Sequence, residues 1–126
     1  MARILIAEDD GAVRALVRRA LELDGHAVTT AEDGGEALEV IRRENGRFDL
    51  LLSDIRMPVM DGIALALAAA RDFPALRILL MTGYAEQRER AHGLEAIIQD
   101  VVQKPFTLTE IRRAVAAALQ APRAGA

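Results

Sequence analysis

Short apolar runs alternate five times with segments whose apolar residues recur at helical spacing. Arg3-Ile4-Leu5-Ile6-Ala7 reads as a buried strand. Residues 11–24 then place Val13, Leu16, Val17, Ala20 and Leu21 on one helical face. Gly25 stops that helix, and His26-Ala27-Val28-Thr29-Thr30 has the β-branched content of a second strand. Asp33 and Gly34 offer a helix start. Ala37, Leu38 and Ile41 make its inner face, and Asn45-Gly46 its end. Strand three is expected over Phe48–Ser53, and helix three over Gly62–Asp72, closed by Phe73-Pro74. Strand four follows over Arg77–Thr82, then a charged helix over Glu86–His92, with strand five inside Ile97–Gln103. Thr107-Leu108-Thr109-Glu110 opens helix five. Either threonine suits the cap, and Thr107 with Glu110 has the box spacing. Ile111, Ala114, Val115, Ala118 and Leu119 form that helix's inner face. Residues 1–121 are expected to form one domain and 122–126 a short flexible tail.

Strands alternating with helices predict an α/β fold, a parallel sheet covered on both faces, because parallel neighbours need helical crossovers. In such folds ligands bind beyond the carboxyl ends of the strands. Four apolar runs end there on polar groups: Glu8-Asp9-Asp10, Asp54, Thr82 and Lys104. An acid at the end of a buried strand, as Asp54 is, packs poorly but makes a good reactive group.

Composition narrows the function classes. The 126 residues suit one domain, and few aromatics (3%) make the core aliphatic. A net charge of -3 lacks the basic stripe of a nucleic-acid surface. With no cysteine there is no disulfide, thiolate nucleophile or Cys-based zinc site. No apolar stretch approaches the roughly 20 residues of a membrane span, and the start lacks a signal-peptide core. These features suggest a soluble, cytoplasmic protein without direct nucleic-acid or membrane contact.

Carboxylates gathered at Glu8, Asp9, Asp10 and Asp54 would repel one another without a cation among them, and hard oxygen donors favour Mg2+, or Mn2+, over zinc. The bland alternative for the triplet is a solvated loop that caps helix one. Lys104 is a point-charge partner for a phosphoryl oxygen or for Asp54, and Thr82 a hydroxyl donor to the same oxygen. A carboxylate nucleophile, a metal, a cation and a hydroxyl suit in-line phosphoryl transfer to Asp54. No Walker-type nucleotide loop occurs, so the phosphoryl donor is expected to be another phosphoprotein or a small phosphodonor.

Ile-Leu-Ile-Ala-Glu-Asp-Asp, Ser-Asp-Ile-Arg-Met-Pro-Val-Met-Asp-Gly, Leu-Met-Thr-Gly and Gln-Lys-Pro-Phe occur in this order. In them the chain resembles the response-regulator receiver domains of two-component signalling from Arg3 to about Leu119. The resemblance implies a flavodoxin-like, doubly wound five-stranded sheet of order 2-1-3-4-5 with five helices. It implies Asp54 as phosphoacceptor, Asp9 as direct Mg2+ ligand, Glu8 acting through water, and the main-chain carbonyl of Arg56 as a further ligand. Thr82 and Lys104 are similar to the family's phosphoryl-contacting switch pair. A histidine kinase or histidine phosphotransfer protein is the implied donor, and a protein effector reading the helix 4–strand 5–helix 5 face is the implied output. The family often has an aromatic residue where this chain has Val101, which puts the usual ring rotation in doubt and draws attention to Tyr84 and Phe106.

Leu-Met-Thr-Gly-Tyr-Ala and Val101 also resemble the CpdR type of stand-alone receivers, which implies an adaptor role for an AAA+ protease in cell-cycle control. Other roles for a receiver are a phosphate sink or a phosphorelay intermediate. The competing class is an aspartyl-phosphate phosphatase or mutase. Such enzymes commonly place an acid two residues after the nucleophile, where this chain has Arg56, a poor proton donor near neutral pH. The expectation is a phosphoacceptor that supports its own phosphotransfer and slow dephosphorylation, rather than an enzyme acting on other substrates. His26 and His92 receive no role.

Overall fold

A computed structural model describes residues 1–122. Five strands run β1 (Arg3–Ala7), β2 (Ala27–Ala31), β3 (Leu50–Asp54), β4 (Arg77–Thr82) and β5 (Asp100–Gln103). Helices α1 (Gly11–Leu23), α2 (Gly34–Arg43), α3 (Gly62–Asp72), α4 (Ala85–Ala91) and α5 (Leu108–Gln120) connect and follow them. All neighbours pair in parallel, in the order β2-β1-β3-β4-β5. This is the expected doubly wound, flavodoxin-like order. Of the tail expected over 122–126, residues 123–126 lie outside the described residues; Ala121 is fixed by its carbonyl, which accepts from Arg77 Nε at 2.8 Å.

Two aliphatic layers cover the sheet. Leu5, Leu51, Ile78 and Leu80 pack towards α2 and α3, while Ile4, Ile6, Leu50, Leu52, Leu79 and Met81 pack towards α1 and α5. Near-continuous apolar runs reflect strands buried on both faces. Edge strand β2 alternates exposed and half-buried positions instead. It begins one residue later than expected, because His26 remains in the turn and its Nδ1 accepts the Ala2 N–H at 3.1 Å.

Other boundaries shift by a residue or two. Strand β3 runs to Asp54 itself, with Phe48 and Asp49 before it. Helix α4 spans Ala85–Ala91. Strand β5, Asp100–Gln103, lies inside the stretch expected for it, and Leu94 to Ile98 before it form turns closed by the Ile97 and Ile98 N–H groups on the Leu94 carbonyl. Helix α5 opens with the full capping box: Thr107 accepts from Glu110 N–H, and the Glu110 side chain accepts from Thr107 N–H. Thr107, not Thr109, is therefore the cap.

Glycine is required where α3 meets the sheet. A Cβ at Gly62 would collide with the Asp54 carbonyl, so the loop after β3 folds back against the strand that carries Asp54.

Leu51 is fully buried in the central strand. Leu51→Ala is expected to lower unfolding stability by about 2–5 kcal/mol. Urea titration should show a lower midpoint at unchanged slope.

Candidate functional site

Register builds the site. Strands β1 and β3 pair Ala7 with Ser53, so the next residues, Glu8 and Asp54, stand side by side. Alternation puts both on the pleat face of Ile6 and Leu52. Strand β5 presents Val102 on that face, and Lys104 lies two residues on. Three neighbouring parts of the sheet thus deliver two acids and one base to one spot. Lys104 Nζ lies 2.5 Å from Glu8 Oε1 and 3.2 Å from Asp54 Oδ1. The Glu8 side chain is 1% exposed and that of Asp54 11%.

The acidic triplet divides its work. Glu8 turns inward to Lys104. Asp10 is the α1 cap, its Oδ1 accepting from Ala12 and Val13 N–H. Asp9, exposed, lies beside the inward acids: one carboxylate oxygen each from Glu8, Asp9 and Asp54 falls within 4.8 Å of the others. The α1 cap and the acidic cluster that could hold a cation, expected as alternatives, fall on different residues.

These groups border an open pocket of about 690 Å³, lined also by Val13, Arg56, Tyr84, Pro105 and Phe106. Leu16, expected to face inward, is half exposed and lines its rim. The Arg56 guanidinium lies 4.8 Å over the Tyr84 ring centroid, a cation–π contact at the pocket edge. Thr82 is buried and does not line the pocket. Alternation turns it to the face of Ile78 and Leu80, and its hydroxyl accepts the Tyr84 N–H at 3.1 Å. Val101 lies away from the site, half-buried beside α4 with Arg88, Ala91 and Ile98. Met57 and Met60, partly buried, pack against the core on the α2–α3 side.

One ammonium serves two buried carboxylates. Burial pushes Glu8 up to about 7, with the nearby Asp54 charge adding to the effect and Lys104 opposing it. Burial raises Asp54 as well, again against the pull of Lys104. Burial alone would lower Lys104, but its bond to Glu8 and the charge of Asp54 raise it overall. A divalent cation fits this set: the donors are hard oxygens with surplus negative charge once ionised. Among the described residues no buried side-chain polar atom lacks a partner, so Lys104 completes the cluster without one.

The model of the response regulator receiver domain matches residues 4–116. The chain belongs to that family. This receiver domain is 39% identical over 118 residues to the response regulator MprA of Mycobacterium leprae (strain TN), covering 94% of this chain and 51% of that protein. The response regulator MprA of Mycobacterium ulcerans (strain Agy99) is 40% identical over 109 residues, covering 86% and 46%. The chain thus spans about half the length of the curated relatives it matches. Among solved structures, the non-phosphorylated HemR receiver domain of Leptospira biflexa superposes with a TM-score of 0.85 at 31% identity over 100% of both chains. The response regulator TrrA of Thermotoga maritima, in complex with Mg(2+)-BeF, gives 0.81 at 30%, covering 94% and 99%. The setting is therefore two-component signalling, in which response regulators partner with histidine kinases or phosphotransfer proteins. The cluster of Glu8, Asp9 and Asp54 is typical of the receiver Mg2+ site. No helix of the described residues is long and apolar enough to cross a membrane.

Three contributions escaped the sequence reading: the Arg56–Tyr84 stack, the pocket-rim position of Leu16, and Arg14, whose guanidinium donates to the Glu8 carbonyl at 2.8 Å. Only Arg14 had a usable signal, standing one helical turn after the capping Asp10.

Glu8 also sets a pH dependence. Between its ordinary 4.5 and about 7, the unfolded chain has lost the Glu8 proton while the folded protein keeps it. Stability therefore falls as pH rises through that window. In EDTA the melting temperature should drop from pH 5 to pH 8, and in Glu8→Gln this drop should be clearly smaller. An equal drop in both proteins would remove Glu8 as its source.

Proposed function

We propose that Asp54 is the phosphoacceptor and that its phosphorylation state controls protein binding at the face formed by α4, β5 and α5. The observation carrying this reading is the Asp54 carboxylate at the pocket, 3.2 Å from the Lys104 ammonium and grouped with Glu8 and Asp9. An Asp54 oxygen attacks the phosphorus of a phosphohistidine on a histidine kinase or phosphotransfer protein. The P–N bond breaks, its electron pair leaves with the imidazole, which takes up a proton, and an acyl phosphate remains on Asp54. Lys104 transfers its ammonium contact to a phosphoryl oxygen; Thr82 reaches the same group only after its hydroxyl gives up the Tyr84 N–H and the β4–α4 connection moves. Glu8, Asp9 and Asp54, with the Arg56 main-chain carbonyl, are the residues to hold Mg2+ or Mn2+, which neutralises charge on the phosphoryl oxygens when bound.

The softness of α4 supports the output. It buries only Ala91, and its cap residue Tyr84 makes no side-chain capping bond. With Val101 in place of an aromatic, Tyr84 and Phe106 at the pocket are the side chains that report the change. A partner that prefers one state shifts the balance. The effector is a protein; an adaptor role towards an AAA+ protease, of the CpdR type, is the finer form of this proposal. Cytoplasmic residence, a domain boundary near residue 121, and no direct nucleic-acid or membrane contact belong to the same reading. The phosphatase reading lacks a general acid, because Arg56 occupies that place and stacks on Tyr84.

Incubation with Mg2+ and acetyl phosphate should add one phosphoryl mass, and Asp54→Asn should abolish the addition. Full labelling of that variant would take the role from Asp54. Lys104→Ala should still label but lose the phosphorylation-dependent NMR shifts of α4; their retention would remove Lys104 from the switch.

A further inference from the structure

Arg14 starts on α1, but its guanidinium turns back over the loop that carries the acids. One nitrogen donates to the main-chain carbonyl of Glu8 at 2.8 Å, and the other lies 3.4 Å from the Glu32 carboxylate in the β2–α2 connection. Its side chain is 20% exposed, whereas Arg18 on the same helix is 46% exposed and pairs along the helix surface with Glu22. The other polar backbone group of Glu8 is also held, its N–H donating to the Ala31 carbonyl at 3.1 Å. The peptides on either side of Glu8 are thus each held, the one before it by the β2 end and the Glu8–Asp9 peptide by Arg14. Asp9 follows directly on that peptide, and one of its carboxylate oxygens lies within 4.8 Å of those of Glu8 and Asp54.

We propose that Arg14 is a positioning residue for the Mg2+ site. By holding the Glu8 carbonyl it keeps Asp9 aimed at Glu8 and Asp54, so the cluster meets the cation already assembled. Groups behind metal ligands typically act in this way. The inference rests on the reading of Glu8, Asp9 and Asp54 as that site. Charge alone predicts the reverse: a guanidinium near a cation site repels the cation, and removing it would tighten binding. The sign of the effect separates positioning from charge.

The test is calorimetric Mg2+ titration of the unphosphorylated chain as wild type, Arg14→Gln and Arg14→Lys, with melting curves in EDTA to establish that each is folded. Arg14→Gln is expected to bind Mg2+ about tenfold more weakly. Arg14→Lys should fall between it and wild type, since an ammonium still donates to the Glu8 carbonyl. Unchanged or tighter binding by Arg14→Gln overturns the inference, even if its melting temperature drops. A lysine variant no better than the glutamine variant also counts against it. Absence of Mg2+ binding by the wild type overturns the site reading, and this inference with it.

Discussion

The Lys104 ammonium, shared between Glu8 and Asp54, is the interaction around which the molecule is arranged. Two nearly buried acids side by side can ionise together only at a cost of several kcal/mol without it, because burying unpaired charge is expensive even after relaxation. The fold places Lys104 there by topology. Strands β1 and β3 are neighbours, β5 lies two places further, and all run in the same direction. Their carboxyl ends open on one edge, so residues distant in sequence meet without a long loop. A single ammonium nonetheless leaves two carboxylates incompletely neutralised, which is why burial raises both acids despite the ion pair. The cluster is complete in hydrogen bonds and deficient in positive charge. That deficit gives a divalent cation or a further cationic contact its leverage.

Much of this was legible because two periodicities carry it. Apolar runs marked the parallel strands, and helical spacing marked the inner faces of α2 and α5. The period of two along a strand then carries Ile6 to Glu8, Leu52 to Asp54 and Val102 to Lys104 on one face. The same rule puts Thr82 on the other face, a consequence hidden while strand ends were read only as positions along the chain. Leu16 was misjudged because the helix pattern cannot distinguish burial against a core from the wall of an open pocket. The start of β5 stayed open within Ile97–Gln103 for a related reason: Ile97 and Ile98 are apolar and β-branched, but Ile98 is buried from a turn. Long-range contacts such as Arg56 over Tyr84 and Arg14 on Glu8 depend on side-chain direction, which residue type alone does not specify.

Rigid and soft parts meet at Asp61. One of its oxygens caps α3 through the Ala64 N–H, and the other accepts from Arg90 on α4 at 2.8 Å. Burial would raise Asp61, but the Ala64 bond and Arg90 hold its carboxyl below the usual range. The residue preceding Gly62 thus links the loop behind Asp54 to the helix proposed to move. The two sides of this link differ in strength. Helix α3 buries Ile63, Leu65, Ala66 and Ala69, while α4 buries Ala91 alone. The Arg90–Asp61 pair is partly exposed, and pairs of that kind contribute roughly 0–1 kcal/mol. Helix α4 is therefore held more weakly than α3. On the proposed reading, a rearrangement at the sheet edge displaces α4, which contributes only Ala91 to the core, while the strands that fix Asp54 stay in place.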